Sequence, residues 1–223
     1  MFIDVHCHLD KVIEEGLSAE QAIKNAKENG VNIILVNGTD SEQNKIILSL
    51  AKKHKEVKAA LGIYPLDALK LSESEIDEEI KLIEKNKKNI IAIGEVGLDL
   101  KEEELHKTLD KQKNNLSKFI NLSLRINKPI IVHSRKAELH TIELLEQLNA
   151  KKVIMHCFSG KMSLVDRIVK NSWFLSIPAN IHYSQQFQDI VKRVRLQNLL
   201  CETDSPFLHP LKKWPNEPAN VIY

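Results

Sequence analysis

A chain of 223 residues can bury a sizeable core in one large domain, and 43% hydrophobic with 28% charged residues excludes a low-complexity or fibrous protein. Its 32 basic residues nearly balance 30 acidic ones, for a net charge of +2, so charge alone does not argue for nucleic-acid binding. The apolar runs are too short to span a bilayer, and MFIDVHCHLD lacks a basic region followed by a long apolar stretch, so a cytoplasmic protein without a membrane partner is expected.

The first apolar run, near residues 2–6, leads into FIDVHCHLD. Successive side chains on a strand face opposite sides, so His6 and His8 share one face and can chelate an ion. Such a pair alone can equally be structural. Asp4 on the same face is placed to orient a ligand imidazole, or to serve as a local turn partner. Cys7 should point the other way, into the layer between strands and helices, and Cys157 likewise. With Cys201 they form an odd set lacking CxxC spacing, which favours buried structural cysteine over a disulfide framework or zinc ribbon.

Ser18 can cap a helix AEQAIKNAKEN that ends at Gly30, and Ser41 can cap EQNKIILSLAKKH. Runs near 32–37 and 57–63 read as strands two and three. SESEIDEEIKLIEKNKK begins acidic and ends basic, as the helix dipole favours, and Ser72 with Glu75 has capping-box spacing. The fourth run, near 90–96, contains Glu95 between Gly94 and Val96. A carboxylate there is unfavourable to bury without a cation or donors; its two oxygens could bridge two metal ions or make an internal salt bridge. From about Glu102 to Asn127, Leu105, Leu109, Leu116, Ile120 and Leu124 fall near helical spacing, predicting one long helix or two joined ones. Runs near 129–133, 152–156, 173–178 and 198–202 complete the set, with His133 and His156 ending two of them and Asp204 following the last.

Eight strand-like runs alternating with helical segments predict a TIM (β/α)8 barrel, one domain over residues 1–223. A doubly wound sheet is the alternative, disfavoured because no Gly-rich phosphate loop follows the first strand. After Asp204 the segment PFLHPLKKWPNEPANVIY leaves little room for an eighth helix, so the final helix should be shortened or missing. The resulting groove beside the first helix could expose apolar surface and mediate a dimer contact, giving a monomer or weak homodimer.

In a parallel barrel the carboxyl ends of the strands form the functional rim. His6, His8 and Asp204 then come together where strands one and eight meet, and His133 and His156 lie on adjacent strands, with Glu95 between the two groups. Two divalent ions are expected, zinc, manganese or magnesium by ligand type, which would activate a bound water; Asp204 could act as ligand and base.

FIDVHCHLD, IGEVGLD, PIIVHSRKA, MHCFSG, ETDSPFL and NEPA, in this order and spacing, resemble the TatD-like metal-dependent deoxyribonucleases of the amidohydrolase superfamily. The resemblance implies a hydrolase with metals held by His6, His8, Glu95, His133, His156 and Asp204, with Glu95 and Asp204 serving catalysis, and DNA as substrate. Arg135 matches a family arginine and is a candidate phosphate contact. Three departures bear on the substrate: GIYP places Tyr64 where the family carries histidine, Lys136 replaces the acidic residue usual after the arginine, and the C-terminus is short. Tyr64 is thereby a candidate substrate contact. A small-molecule amidohydrolase acting on a lactone, ester or cyclic amide is the alternative reading. Glu95 at the fourth strand, where carbon–nitrogen hydrolases often carry a lysine carbamate, favours the phosphodiesterase. A non-catalytic binding protein is disfavoured by retention of all six ligands.

Overall fold

The computed structural model describes residues 1–223. Eight strands, β1 (Phe2–Cys7), β2 (Val31–Asn37), β3 (Val57–Leu61), β4 (Ile90–Gly97), β5 (Ile130–His133), β6 (Val153–His156), β7 (Phe174–Pro178) and β8 (Leu199–Glu202), run parallel in sequence order. Helices α1 (Leu9–Glu14) and α2 (Ala19–Glu28) follow β1, and α3 (Ser41–Lys53) follows β2. Next come α4 (Pro65–Ala68) and α5 (Glu73–Lys85), then α6 (Leu109–Ile126), α7 (Glu138–Gln147), α8 (Met162–Lys170) and α9 (Gln185–Arg193). All seven crossovers between strands are helical, as a parallel sheet requires.

Local chemistry accounts for the helix ends. Ser18 accepts from the Gln21 amide, and Gly30 follows the helix at φ 76°, where a side chain would be strained. Ser72 and Glu75 form the reciprocal capping box. At α3 the expected cap shifts by one residue: the Asp40 carboxylate accepts from Gln43 N at 2.8 Å, while Ser41 is the first helical residue. Asp40 has the extended backbone an N-cap needs, and its carboxylate complements the helix N-terminus. The stretch after Glu102 divides into a 3-10 turn (Glu103–Thr108) and α6, which ends at Asn127 in the left-handed region.

Two apolar layers hold the barrel. Leu35, Ala60, Ala92 and Ile131 form a small buried cluster contributed by β2 to β5, with Ile154 of β6 against it; a larger core fills the space between strands and helices. Cys7 belongs to that outer core, as strand alternation predicts, and Cys157 packs against it. Cys201 does not follow the expectation of burial, since it is exposed on the outer face of β8.

The seam between β1 and β8 differs from the other joins. Asp204 N donates to His6 O at 2.9 Å and His8 N donates to Ser205 O at 2.8 Å, just past the end of β8. Below them the Asp4 carboxylate accepts from Thr203 N (3.0 Å), Thr203 Oγ1 (2.5 Å) and His6 N (3.2 Å). Asp4 therefore joins the seam through two backbone amides and the Thr203 hydroxyl and does not orient an imidazole. Its burial is complete and pushes its carboxyl well above the usual range, against the pull of the Thr203 and His6 donors.

No α-helix follows β8. A 3-10 turn, Pro218–Ile222, packs against α2 and the outer sides of β1 and β2, burying Ala219 and Val221, so the incomplete helical ring is partly covered by irregular chain. No helix is long and apolar enough to cross a membrane.

Candidate metal centre

Each of the six residues expected to hold metal lies at the carboxyl end of a strand or directly after it, and the fold brings all six together. Glu95 is the hub. Its Oε2 lies 3.5 Å from His6 Nε2 and 3.4 Å from His8 Nε2, while its Oε1 lies 2.9 Å from His133 Nδ1 and 3.8 Å from His156 Nε2. One carboxylate oxygen thus faces each histidine pair. Asp204 Oδ1 completes the ring at 3.6 Å from His6, 3.5 Å from His8 and 3.9 Å from His156.

In His8, His156 and His133 the partner of the second nitrogen shows which one is turned to the cluster. His8 Nδ1 lies 3.0 Å from Asn37 O; a carbonyl only accepts, so Nδ1 carries the proton and Nε2 presents its lone pair to the cluster. His156 Nδ1 lies 3.0 Å from both oxygens of Glu202, so Nδ1 carries a proton and Nε2 is the atom turned to the cluster. His133 is turned over: Nδ1 faces Glu95, and Nε2 faces Asp99 Oδ2 at 3.2 Å. His6 Nδ1 is buried and has no partner, and the His6 ring stacks on His156 with centroids 3.6 Å apart.

Glu95, 3% exposed, is held well below the usual carboxylate range: burial opposes ionisation, but His133 and His6 outweigh it. Asp204 is likewise lowered against burial, by His156 and His8. His156 is pushed up to about 10, burial being overcome by Glu202 and Asp204. Buried anionic charge in this cluster is thus sufficient to draw a proton onto an imidazole, and a bound cation would supply the same compensation. The donor set therefore fits divalent metal: His6, His8 and Glu95 form one convergent group and Glu95, His133 and His156 another, with Asp204 able to join either.

Two buried carboxylates of the site stand outside the six expected ligands. Glu202 is fully buried, holds His156 and accepts from Cys157 N at 3.1 Å. Its spacing to Asp204, i and i+2, is the one that singled out His6 and His8, so ETD contained the clue. Asp99, the last residue of IGEVGLD, is also fully buried. Its Oδ2 accepts from Tyr64 Oη at 2.5 Å, Arg135 Nη2 at 2.5 Å and Arg135 Nε at 3.0 Å. These partners and His133 hold its carboxyl low despite burial, and the Tyr64 phenol is raised by burial and by Asp99.

Arg135 is therefore no free surface fork. Nε and Nη2 are committed to Asp99, and Nη2 also donates to Tyr64 Oη at 3.0 Å, while the guanidinium remains 44% exposed. Above the candidate ligands opens a cleft of about 530 Å³, lined additionally by Lys11, Thr39, Tyr64, Asp67, Arg135, Phe207 and Leu208. Lys136, the other departure near the arginine, does not line it.

Known proteins with this architecture match along nearly the full chain. The sequence model of the family described as TatD related DNase matches residues 3–223. The metal-dependent hydrolase MJ1582 of Methanocaldococcus jannaschii is 33% identical over 221 residues, covering 99% of this chain and 84% of its own length. Deoxyribonuclease TATDN3 of Homo sapiens is 34% identical over 232 residues, with 98% and 83% covered. The crystal structure of YjjV, a TatD homologue from Escherichia coli, superimposes with a TM-score of 0.87 at 27% identity, covering 99% of this chain and 86% of that one. With the family pattern spanning the strands that carry the cluster, the chain belongs to the TatD related DNase family of metal-dependent hydrolases.

Proposed function

We propose that this protein is a phosphodiesterase that cleaves DNA with two divalent ions. The observation that carries the reading is Glu95, whose two oxygens each face a separate histidine pair at the floor of an open cleft. His6, His8, Glu95 and Asp204 would hold one ion, and Glu95, His133 and His156 the other. Divalent ions bound there would lower the pKa of water and stabilise charge on the attacking and leaving oxygens of a phosphodiester.

The remaining steps fall to side chains. Asp204, ionised and 15% exposed at the cleft, is placed to take a proton from the attacking water. Arg135, fixed through Nε and Nη2, leaves Nη1 without a partner in the protein, free to donate to a phosphate oxygen. Lys11 adds a second cation at the rim. Glu202 holds His156 in one tautomer, which keeps Nε2 directed at the cluster. The deoxyribonuclease name of the human relative supports DNA as the substrate class.

Elemental analysis of the purified protein, coupled to nuclease and phosphodiesterase assays across zinc, manganese and magnesium, tests the reading. Asp204→Asn should lower kcat by roughly 10²-fold or more, the range for loss of a general base. Equal activity in that variant removes Asp204 from the mechanism. Turnover of a lactone or cyclic amide, with no DNA cleaved under any metal, overturns the substrate assignment.

A further inference from the structure

We infer that Phe207 and Trp214, on the chain following β8, form a stacking subsite for an unpaired nucleobase next to the phosphate held in the cleft. The inference rests on DNA being the substrate, as proposed above, and specifies the form in which the strand is held.

Single exposed aromatics are ordinary on protein surfaces, but these two touch each other and continue out of the cleft. Phe207 is 41% and Trp214 55% exposed, and their ring centroids are 5.8 Å apart with planes inclined at 55°. Phe207 lines the cleft, and its ring centroid lies 6.3 Å from that of His8, so aromatic surface begins beside the metal ligands and runs outward. Trp214 is held in place, since its Nε1 donates to Glu15 Oε2 at 2.7 Å. A ring anchored at its edge keeps a face available at little further loss of rotamer freedom.

Charge stands where a strand's backbone would need it. Lys11 Nζ lies 5.9 Å from the Phe207 ring centroid and also lines the cleft, which puts a phosphate-neutralising cation beside the stacking surface. Lys213 immediately precedes Trp214, whereas the Lys212 ammonium lies over the Tyr183 ring, 4.7 Å from its centroid. Aromatic faces flanked by cations are the elements with which proteins hold single strands without reading sequence. Bases inside a duplex hide their faces in the stack, so the subsite engages a strand only where it is unpaired.

Tryptophan fluorescence can report binding directly, because the other tryptophan, Trp173, is 2% exposed and its indole is bonded within the core. Oligothymidylate titrated into the wild-type protein in EDTA should quench the Trp214 emission, and the same oligomer made abasic should not. With metal restored, Phe207→Ala and Trp214→Ala should each raise KM on single-stranded oligothymidylate roughly five- to hundred-fold, the range for one lost base stack, with less effect on kcat. Phe207→Trp should retain the low KM, and wild-type metal content in each variant shows that the cluster is intact. The subsite is overturned if oligothymidylate leaves the emission unchanged, if the alanine variants do not raise KM, or if they raise it equally on the abasic oligomer. Those results can occur in an enzyme that cleaves DNA, whereas wild-type protein that neither binds nor cleaves any DNA overturns the DNA reading itself and the subsite with it.

Discussion

Two buried carboxylates share one imidazole at the floor of the cleft, and their surroundings differ in kind. Glu95 faces only imidazole nitrogens, those of His6, His8, His133 and His156, none of which carries a permanent charge. Asp99 faces the other side of His133 and is neutralised by Arg135, a permanent cation, with Tyr64 donating a further hydrogen bond. Without an added ion the first centre offsets its charge only by protonating an imidazole; the second contains a permanent cation. Ionisable clusters in one cleft can thus be sorted into those built to receive an ion and those built to position something else.

Removing the charge at each centre should separate them most strongly. Glu95→Gln should abolish metal retention and activity, weakening metal binding by well over ~10²-fold, beyond the range for residues that only support a ligand. Asp99→Asn, which alters only a support of His133, should weaken binding by no more than ~10²-fold and leave metal content near wild type at saturating metal. The contrast extends to stability: a metal at a hundred times its dissociation constant adds about 2.7 kcal/mol to a folded protein that binds it, so wild type and Asp99→Asn should gain thermal stability from added metal and Glu95→Gln should not. Equal metal content in both variants, measured by elemental analysis, would erase the distinction.

A second effect concerns pH and requires the metal-free protein. His156 has its folded pKa raised from 6.5 to about 10, chiefly by Glu202 and Asp204 working against burial. A raised pKa means that the folded state binds the proton more tightly, so this contribution is complete below pH 6.5 and is lost as pH rises towards about 10. His6 is shifted the opposite way, by burial and by His156, and so reduces stability only in more acidic solution. The metal-free protein should therefore lose denaturant resistance steadily between neutral and alkaline pH. Metal-loaded protein, with Nε2 of His156 occupied, should show a flatter profile. Parallel urea titrations across this range check the claim; identical slopes with and without metal would refute it.

Much of the proposed metal centre is legible because strand ends are legible. Period-two alternation put His6 and His8 on one face and Cys7 on the other, and the apolar runs located β4, β5 and β6, whose ends carry Glu95, His133 and His156. The Asp99 centre was not legible, because its members are joined only in space: Tyr64 after β3, Asp99 after β4 and Arg135 after β5 meet across three loops that have no periodicity. Asp4 is only partly legible for a related reason: the local contact from His6 N is there, but the imidazole contact is not. Its facing was right, but its partner lies on β8's continuation at Thr203, and the cross-seam geometry depends on how the barrel closes. Ser41 lost the cap to Asp40 through a single-residue shift that composition cannot decide between two good capping residues.

The finest test of the contrast is Tyr64→Phe, which leaves both charges of the Asp99 centre in place and removes one hydroxyl. That hydroxyl donates to Asp99 at 2.5 Å and accepts from Arg135 Nη2 at 3.0 Å, linking carboxylate and guanidinium from a second side. Arg135 keeps two bonds to Asp99 without it, so the guanidinium should stay in the cleft with more freedom. One net hydrogen bond is worth about 1 kcal/mol, which predicts a roughly five-fold rise in KM for DNA, with kcat and metal content little changed. Arg135→Lys should cost more, because an ammonium cannot reproduce the planar contact with Asp99 and still offer a directed donor to phosphate. If Tyr64→Phe instead lowered bound metal, the two carboxylate centres would be coupled through His133, whose Nε2 lies 3.3 Å from the Tyr64 hydroxyl, and the division between received and built-in cation would hold for charge but not for geometry.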